Sequence, residues 1–346
     1  LSTSFNIDGF NLRKIDDQLN ISLNFYQTNQ ENEDNKTIPL VFPKLKYFTG
    51  YNNRSSYVEN STYEIYNIFR EKSTSVHAKN QQKISHEYSA EKEIMKYNSK
   101  ILLNTNIFNQ VFNTEDKFII GDKYQTGSYY RLFPIIGITT ETPLKFKNNN
   151  SNLIIKPKLN MTITPGISNS NKLSNEDSTN NDFNFDNIYR LNRYSGSDKM
   201  DNSKRITYGI DTHTDNLKIS FAQTYEFTKN SNFHKEQGNE DNLSDLFGKI
   251  EYSNKNKLNY NFRYNFDDSY VKQQNINYNS YSLLGEINIS YLDQNSKINN
   301  IVSNDIETIN YSFVSKKFSK FSSLNFNGLY DLKKEINKEY SIGYSY

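Results

Sequence analysis

Cysteine and tryptophan are absent from the 346 residues, methionine occurs three times and proline six times. Without cysteine there is no disulfide framework in this stretch, and His77, His86, His213 and His234 are scattered without thiol partners, which argues against a structural zinc site. No metal or cofactor is expected. Only 35% of residues are hydrophobic and mean hydropathy is −0.84, too thin a supply of aliphatic side chains for a soluble core of this length. No run approaches the ~18 consecutive apolar residues of a spanning helix, so any membrane role falls to strands. The net charge of +2, with lysines dispersed among Asn and Glu, gives no basic field for nucleic acid. The chain starts at Leu1 with neither an initiator Met nor a charged segment followed by an apolar one, which reads as truncation.

What the chain has instead is 27 Tyr and 23 Phe. A polar average alone would suit disorder, but the aromatic and β-branched residues recur at every second position in short runs, as in strands with one greasy and one wet face. The clearest run is Leu258, Tyr260, Phe262, Tyr264, Phe266, with Asn259, Asn261, Arg263 and Asn265 between. The same period recurs in Leu19–Phe25, Ile101–Ile107, Leu153–Ile163, Leu217–Phe221, Tyr281–Tyr291 and Tyr340–Tyr346. Weaker segments bring the number to roughly sixteen to eighteen. Their length suits the roughly 9–11 residues with which a tilted strand crosses an outer membrane. The expected fold is therefore all-β: an antiparallel transmembrane outer-membrane β-barrel, incomplete, holding these strands of a larger barrel. A β-sandwich or propeller would also alternate, but the wet face is Asn, Lys, Ser and Glu nearly throughout and no blade-length repeat is visible.

Loop lengths should alternate between short periplasmic turns and long external loops. Asp215–Asn216 and Asn254–Lys257 read as short, Thr228–Leu243 and Asp267–Asn277 as long. Carrying that parity back makes 164–204 one external or lumen-folded excursion, in which Asn187–Ser203 is not a membrane strand. The prolines, Pro39, Pro43, Pro134, Pro143, Pro157 and Pro165, are expected at strand starts or in weakened pairing. Pro157, inside a clean run, implies a bulge or poor pairing with one neighbour.

From Tyr189 to Ile210 the chain reads YRLNRYSGSDKMDNSKRITYGI. This resembles the R-x-S-G-x-D-R segment followed by R-x-x-Y-G of the LptD family of lipopolysaccharide-assembly, or organic-solvent-tolerance, proteins. The matching positions are Arg193, Ser195, Gly196, Asp198, Arg205, Tyr208 and Gly209, with Lys199 where the family usually has Arg, a change that loses the bidentate fork. Tyr130–Pro134, Ala222–Tyr225, Ser244-Asp245, Tyr260–Tyr264 and the end of the chain are similar to further family stretches in the same order.

The resemblance implies a fragment of the barrel domain, without the N-terminal periplasmic jelly-roll, the first strands or the last ones. It implies work at the Gram-negative outer membrane, assembling lipopolysaccharide into the outer leaflet. Implied partners are an LptE-type plug lipoprotein in the lumen, periplasmic lipopolysaccharide-bridge proteins reached through the missing domain, lipopolysaccharide as transported ligand, and outer-membrane lipids. A general porin or nutrient channel is the alternative, sharing the alternation but not the Tyr189–Ile210 string.

No catalytic residues are expected. Ser195-Gly196-Ser197-Asp198 has no nucleophile elbow around it, and a barrel hydrolase would need a Ser–His pair that nothing places. Arg193, Asp198 and Arg205 are expected to form a hydrogen-bonded cluster pinning the excursion, against the blander reading of three solvated loop charges. Lys158, Lys218, Arg263 and Glu286 fall at inward positions as lumen-lining candidates, where they either guide anionic groups or merely hydrate the interior.

Overall fold

The computed structural model describes residues 3–7, 17–26, 34–53, 56–119, 123–148, 151–178, 183–228, 230, 242–267, 269–298, 301–316 and 322–345. Among them nineteen strands form, and helix is limited to one short turn at Asn35–Thr37. In chain order they are β1 Thr3–Ile7, β2 Gln18–Phe25, β3 Leu40–Phe48, β4 Asn52–Asn53, β5 Val58–Phe69, β6 Asn80–Lys96, β7 Ser99–Phe118, β8 Tyr124–Glu141, β9 Leu144–Asn148 and β10 Ser151–Ile163. Then come β11 Lys204–His213, β12 Leu217–Glu226, β13 Leu246–Ser253, β14 Asn256–Asn265, β15 Tyr270–Tyr281, β16 Gly285–Ile298, β17 Ile301–Ser315, β18 Ser323–Asp331 and β19 Ile336–Ser345. The chain divides into two compact units. One is Leu1–Thr139, Met161–Asn181 and Arg190–Lys204; the other is Thr140–Asn160, Asp182–Tyr189 and Arg205–Tyr346.

In the first unit β1, β2, β3, β5, β6 and β7 pair in sequence, every pair antiparallel. The β6–β7 ladder runs from Asn80↔Glu115 to Lys96↔Ser99. It closes in a two-residue turn, where Tyr97 and Asn98 both take positive φ, the geometry that matches strand twist in a tight hairpin. The register of β3 against β5 shifts between Val41 and Lys44, where Pro43 cannot donate to a ladder. Pro134 lies inside β8.

In the second unit β11 to β19 run as an antiparallel meander. The β9–β10 ladder ends at Ile155↔Leu144, and opposite Pro157 the facing strand is broken at Thr142–Pro143, leaving one bond from Thr142 N–H to the Pro157 carbonyl at 3.2 Å.

Both units bury many polar and charged side chains and leave many large apolar ones exposed, unlike a soluble protein. In β6 to β8 Gln81, Lys83, Gln110, Thr114 and Arg131 are buried together with Phe108, Phe112, Phe133 and Ile135, while Ile84 is 58% exposed, Leu132 47% and Ile136 54%. In the second unit Thr207, Arg263, Asn265 and Lys272 are buried while Tyr208, Ile210, Ile287 and Ile289 are exposed. Water would charge heavily for that much exposed aliphatic and aromatic surface; hydrocarbon would not. The expected all-β antiparallel fold of alternating strands is what the structure contains.

Two boundaries differ from expectation. The connection expected over Asp267–Asn277 shrinks, because β15 already starts at Tyr270. The cause is a bulge: Arg263 faces Gln273 but Tyr264 faces Val271, so Lys272 is an extra residue that breaks the two-residue period on which the expectation rested. Likewise the run Tyr281–Tyr291 is two elements. Ser282–Leu284 form a tight turn held by the Ser282 hydroxyl, which donates to the Gly285 carbonyl at 3.0 Å and accepts from Gly285 N–H at 3.2 Å. Most of the long loop expected over Thr228–Leu243, with His234, lies outside the described residues, as does Tyr346.

Candidate functional site

Between the end of β10 and the start of β11 the described residues of 164–203 contain no strand. Lys204, the expected last residue of the excursion, is the first residue of β11. Two segments of this connection, Ser174–Ser178 and Arg193–Ser203, are fastened to the polar face of β5 to β8.

Lys83 is the hub. Its ammonium, fully buried on β6, lies 2.7 Å from Asp198 Oδ1, 3.3 Å from Asp177 Oδ2 and 3.6 Å from Glu64 Oε2, and donates to Ser197 Oγ at 2.6 Å. The Tyr66 and Phe112 rings flank it at 5.2 and 5.8 Å, a stacking position for a cation. A single buried ammonium next to one carboxylate would be roughly break-even against desolvation; several acceptors and two rings improve that balance.

The two aspartates also clasp each other's backbone. Asp177 accepts from the Ser197 and Asp198 N–H groups at 3.0 and 2.8 Å, and Asp198 accepts from the Glu176 and Asp177 N–H groups at 2.7 and 3.1 Å. Gly196 is required between them: its φ is +75°, and a Cβ there would strike the Asp177 carbonyl and carboxylate. The Ser178 hydroxyl accepts from the Asp198 and Lys199 N–H groups, both at 2.9 Å.

Further strands add anchors. Arg131 on β8 donates to the Asp198 and Ser197 carbonyls at 2.8 and 2.7 Å, and its Nε to Gln110 Oε1 at 2.9 Å, which fixes the guanidinium plane. Gln81 both donates to the Ser174 carbonyl at 3.2 Å and accepts from Ser174 N–H at 3.0 Å. Arg70, just after β5, forks onto Glu176 at 3.0 and 2.5 Å, and Glu176 also accepts from the Ser174 hydroxyl. Met200 completes the attachment by packing into an apolar cluster of Phe108, Phe133 and Ile135, joined by Leu191.

These contacts set the carboxylates. Burial pushes Glu176 upward, but hydrogen bonds from His77, Arg70 and Ser174 outweigh it and hold the group at about 2. Asp177 is likewise raised by burial and more strongly lowered by Lys83 and its hydrogen bonds, to about 2. Asp198 moves the other way: burial, reinforced by Asp177 and only partly offset by Lys83, leaves it above the ordinary aspartate value.

The expected Arg193–Asp198–Arg205 cluster is not the arrangement found. Arg193, fully buried, grips Asp201 through Nε at 2.5 Å and Nη2 at 3.3 Å, while Asp198 is held by Lys83 and by the Tyr66 hydroxyl at 3.3 Å. Eight residues of separation let Arg193 and Asp201 close a compact loop, whereas Asp198 faces β6. Arg205 lies in β11 with Glu226 opposite in register, both buried. Ser195 is half-buried, and the Lys199 ammonium sits 5.8 Å from the Tyr194 ring.

In the second unit Tyr208 projects outward and donates to Gln223 at 2.7 Å. Gly209 leaves room for the Tyr189 hydroxyl, into which any Cβ would run. The Lys158 ammonium caps the Tyr189 ring at 4.1 Å. Of the other candidate lining residues, Lys218 is exposed and pairs with Glu251 at 3.1 Å, Arg263 is buried at 3.5 Å from Asp245, and Glu286 accepts from Asn279 at 3.0 Å. Lys83, Asp177, Glu176, Arg70, Gln81 and Gln110 carry the anchoring yet were not singled out by sequence. Only Arg131 fell in a stretch already marked as family-like.

Among the described residues no cluster of His, Asp and Glu with metal-ligating geometry occurs. No curated protein matches the chain. The profile of the LptD family, LPS transport system D, matches residues 8–335, nearly the whole chain and including the anchored segment. A general uptake channel would not carry that match. The chain therefore belongs to the LptD family and is a β-barrel component of lipopolysaccharide transport and assembly at the outer membrane.

Proposed function

We propose that these residues form a section of barrel wall whose polar face lines a hydrated lumen traversed during lipopolysaccharide insertion, and that 164–203 is a lumen-folded excursion fixed to that wall. The observation that carries this reading is the Lys83 site: a fully buried cation on the wet face of β6 holds two loop aspartates, while Ile84, next along the strand, is exposed on the other face. A loop held by four strands and by buried charge is a permanent constriction rather than a floppy external tail. In this reading Lys158, Lys218, Arg263 and Glu286 hydrate the lumen, an LptE-type lipoprotein occupies the remaining interior, and periplasmic bridge proteins deliver lipopolysaccharide to a domain preceding this one. The location is the outer membrane of a Gram-negative bacterium.

Nitroxide labels test the arrangement. In proteoliposomes, labels replacing Ile84 or Ile136 should relax with lipid-dissolved oxygen, and labels replacing Asn192 or Ser195 with a water-soluble nickel chelate. Oxygen-dominated relaxation at 192 and 195 would overturn the excursion's placement.

A further inference from the structure

The polar face of β14 and β15 differs from the Lys83 site in chemistry. It carries amides in a row: Asn261 faces Asn275 across the ladder, Asn259 faces Asn277, and Arg263 faces Gln273. The charges along it are neutralised internally. Arg263 and Lys272 converge on Asp245 at 3.5 and 3.4 Å, and Lys218 and Lys249 converge on Glu251 at 3.1 and 3.0 Å. The buried Oδ1 atoms of Asn259, Asn275 and Asn279 accept no hydrogen bond from the described residues. A pocket of about 210 Å³ opens on this face, lined by Asn261, Gln273 and Asn275 with Phe183, Phe185 and Phe247 beside them; its charged lining residues are Arg263, the partner of Asp245, and Asp186. Phe183 and Phe185 come from the excursion, and their rings close a site that the strands alone would leave open.

We propose that this pocket is a subsite for one uncharged sugar ring, an assignment that rests on the reading of this face as lumen. Side-chain amides offer donor and acceptor together and match hydroxyl pairs, whereas a phosphate would need cations that here are already committed to Asp245 and Glu251. Aromatic rings supply the apolar surface that the C–H face of a pyranose seeks. The volume, below that of a drug-sized site, admits a single ring and not an oligosaccharide. Such a site holds a passing glycan weakly, with affinity low enough to release it.

Saturation-transfer NMR on the detergent-solubilised full-length protein, with glucose, galactose and N-acetylglucosamine as probes, tests the assignment. At least one sugar should receive saturation on its ring protons with millimolar affinity, insensitive to excess inorganic phosphate. Asn275→Leu and, independently, Phe185→Ala should each weaken it about tenfold. Each variant should keep the heat-modifiable gel mobility of the parent. No transfer to any of the three sugars, displacement by phosphate, or unchanged affinity in both variants overturns the subsite. Maleimide-sulfonate labelling of Asn261→Cys in proteoliposomes, against the unsubstituted protein, separates the two levels. Labelling without sugar binding sinks the subsite and leaves the lumen; absence of labelling sinks the lumen reading and the subsite together.

Discussion

At the scale of single residues, Lys83 concentrates the most free energy in the smallest space. Three carboxylates, Asp198, Asp177 and Glu64, lie within 3.6 Å of one ammonium that has no access to solvent. Removing the cation leaves the buried Asp198 facing the part-exposed Asp177 with no counter-charge, and breaking a buried pair costs about 3–5 kcal/mol. Lys83→Met keeps most of the volume and removes the charge. It should release 164–203 and raise its cleavage rate by trypsin or proteinase K at least about a hundredfold, as about 3 kcal/mol of local opening implies. The barrel strands themselves should remain resistant. Equal cleavage of parent and variant would mean that the excursion is held elsewhere. Asp198→Asn with Lys83→Met should be milder than Lys83→Met alone, because the more buried of the two stranded loop carboxylates is gone with its partner.

At the scale of elements, the attachment of the excursion should depend on pH. Glu176 sits at about 2 against an ordinary 4.5. A depressed carboxylate contributes stability that is fully present above the unfolded value and lost as pH falls through the folded one. Glu176 thus contributes on the order of 3 kcal/mol at neutral pH, disappearing between about pH 4.5 and 2. Asp177 acts in the same direction, while Asp198, raised by burial, opposes them. Pepsin cleavage within 164–203 should accelerate as pH falls across that window, and Glu176→Gln should flatten the rise. A rise of the same steepness in Glu176→Gln would remove Glu176 from the explanation. How far such elements are legible in sequence depends on period. Runs such as Leu153–Ile163 announce their strand because every second side chain is apolar. The bulge at Lys272 and the turn at Ser282–Leu284 are invisible to that reading: an added residue shifts the phase, and Leu283 and Leu284 imitate strand residues while standing exposed in a turn. Within the site, Arg193, Gly196 and Asp198 could be picked out by motif, but their partners could not. Lys83 and Gln81 on β6 look like any hydrated wall residues until the fold brings a loop more than ninety residues away against them.

At the scale of the molecule, the deciding property is depth. If the exposed apolar residues meet hydrocarbon, the cost of a charge among them must depend on where along the strand it is placed, falling from about 2–4 kcal/mol at the midplane to about 0–1 near the interfaces. Ile136 lies well inside β8, whereas Met95 lies beside the Tyr97–Asn98 turn, and both are more than half exposed. Ile136→Arg should lower stability by the midplane amount in urea titrations from lipid vesicles, and Met95→Arg by less than about 1 kcal/mol. A water-exposed face predicts small effects at both sites, since neither substitution would then move a charge out of solvent. Equal losses at the two positions would point to a common packing defect rather than to lipid. Only the graded outcome follows from strands whose apolar side chains are solvated by a bilayer of finite thickness, which is also what permits Lys83 and Arg131, on the opposite face of neighbouring strands, to be charged at all.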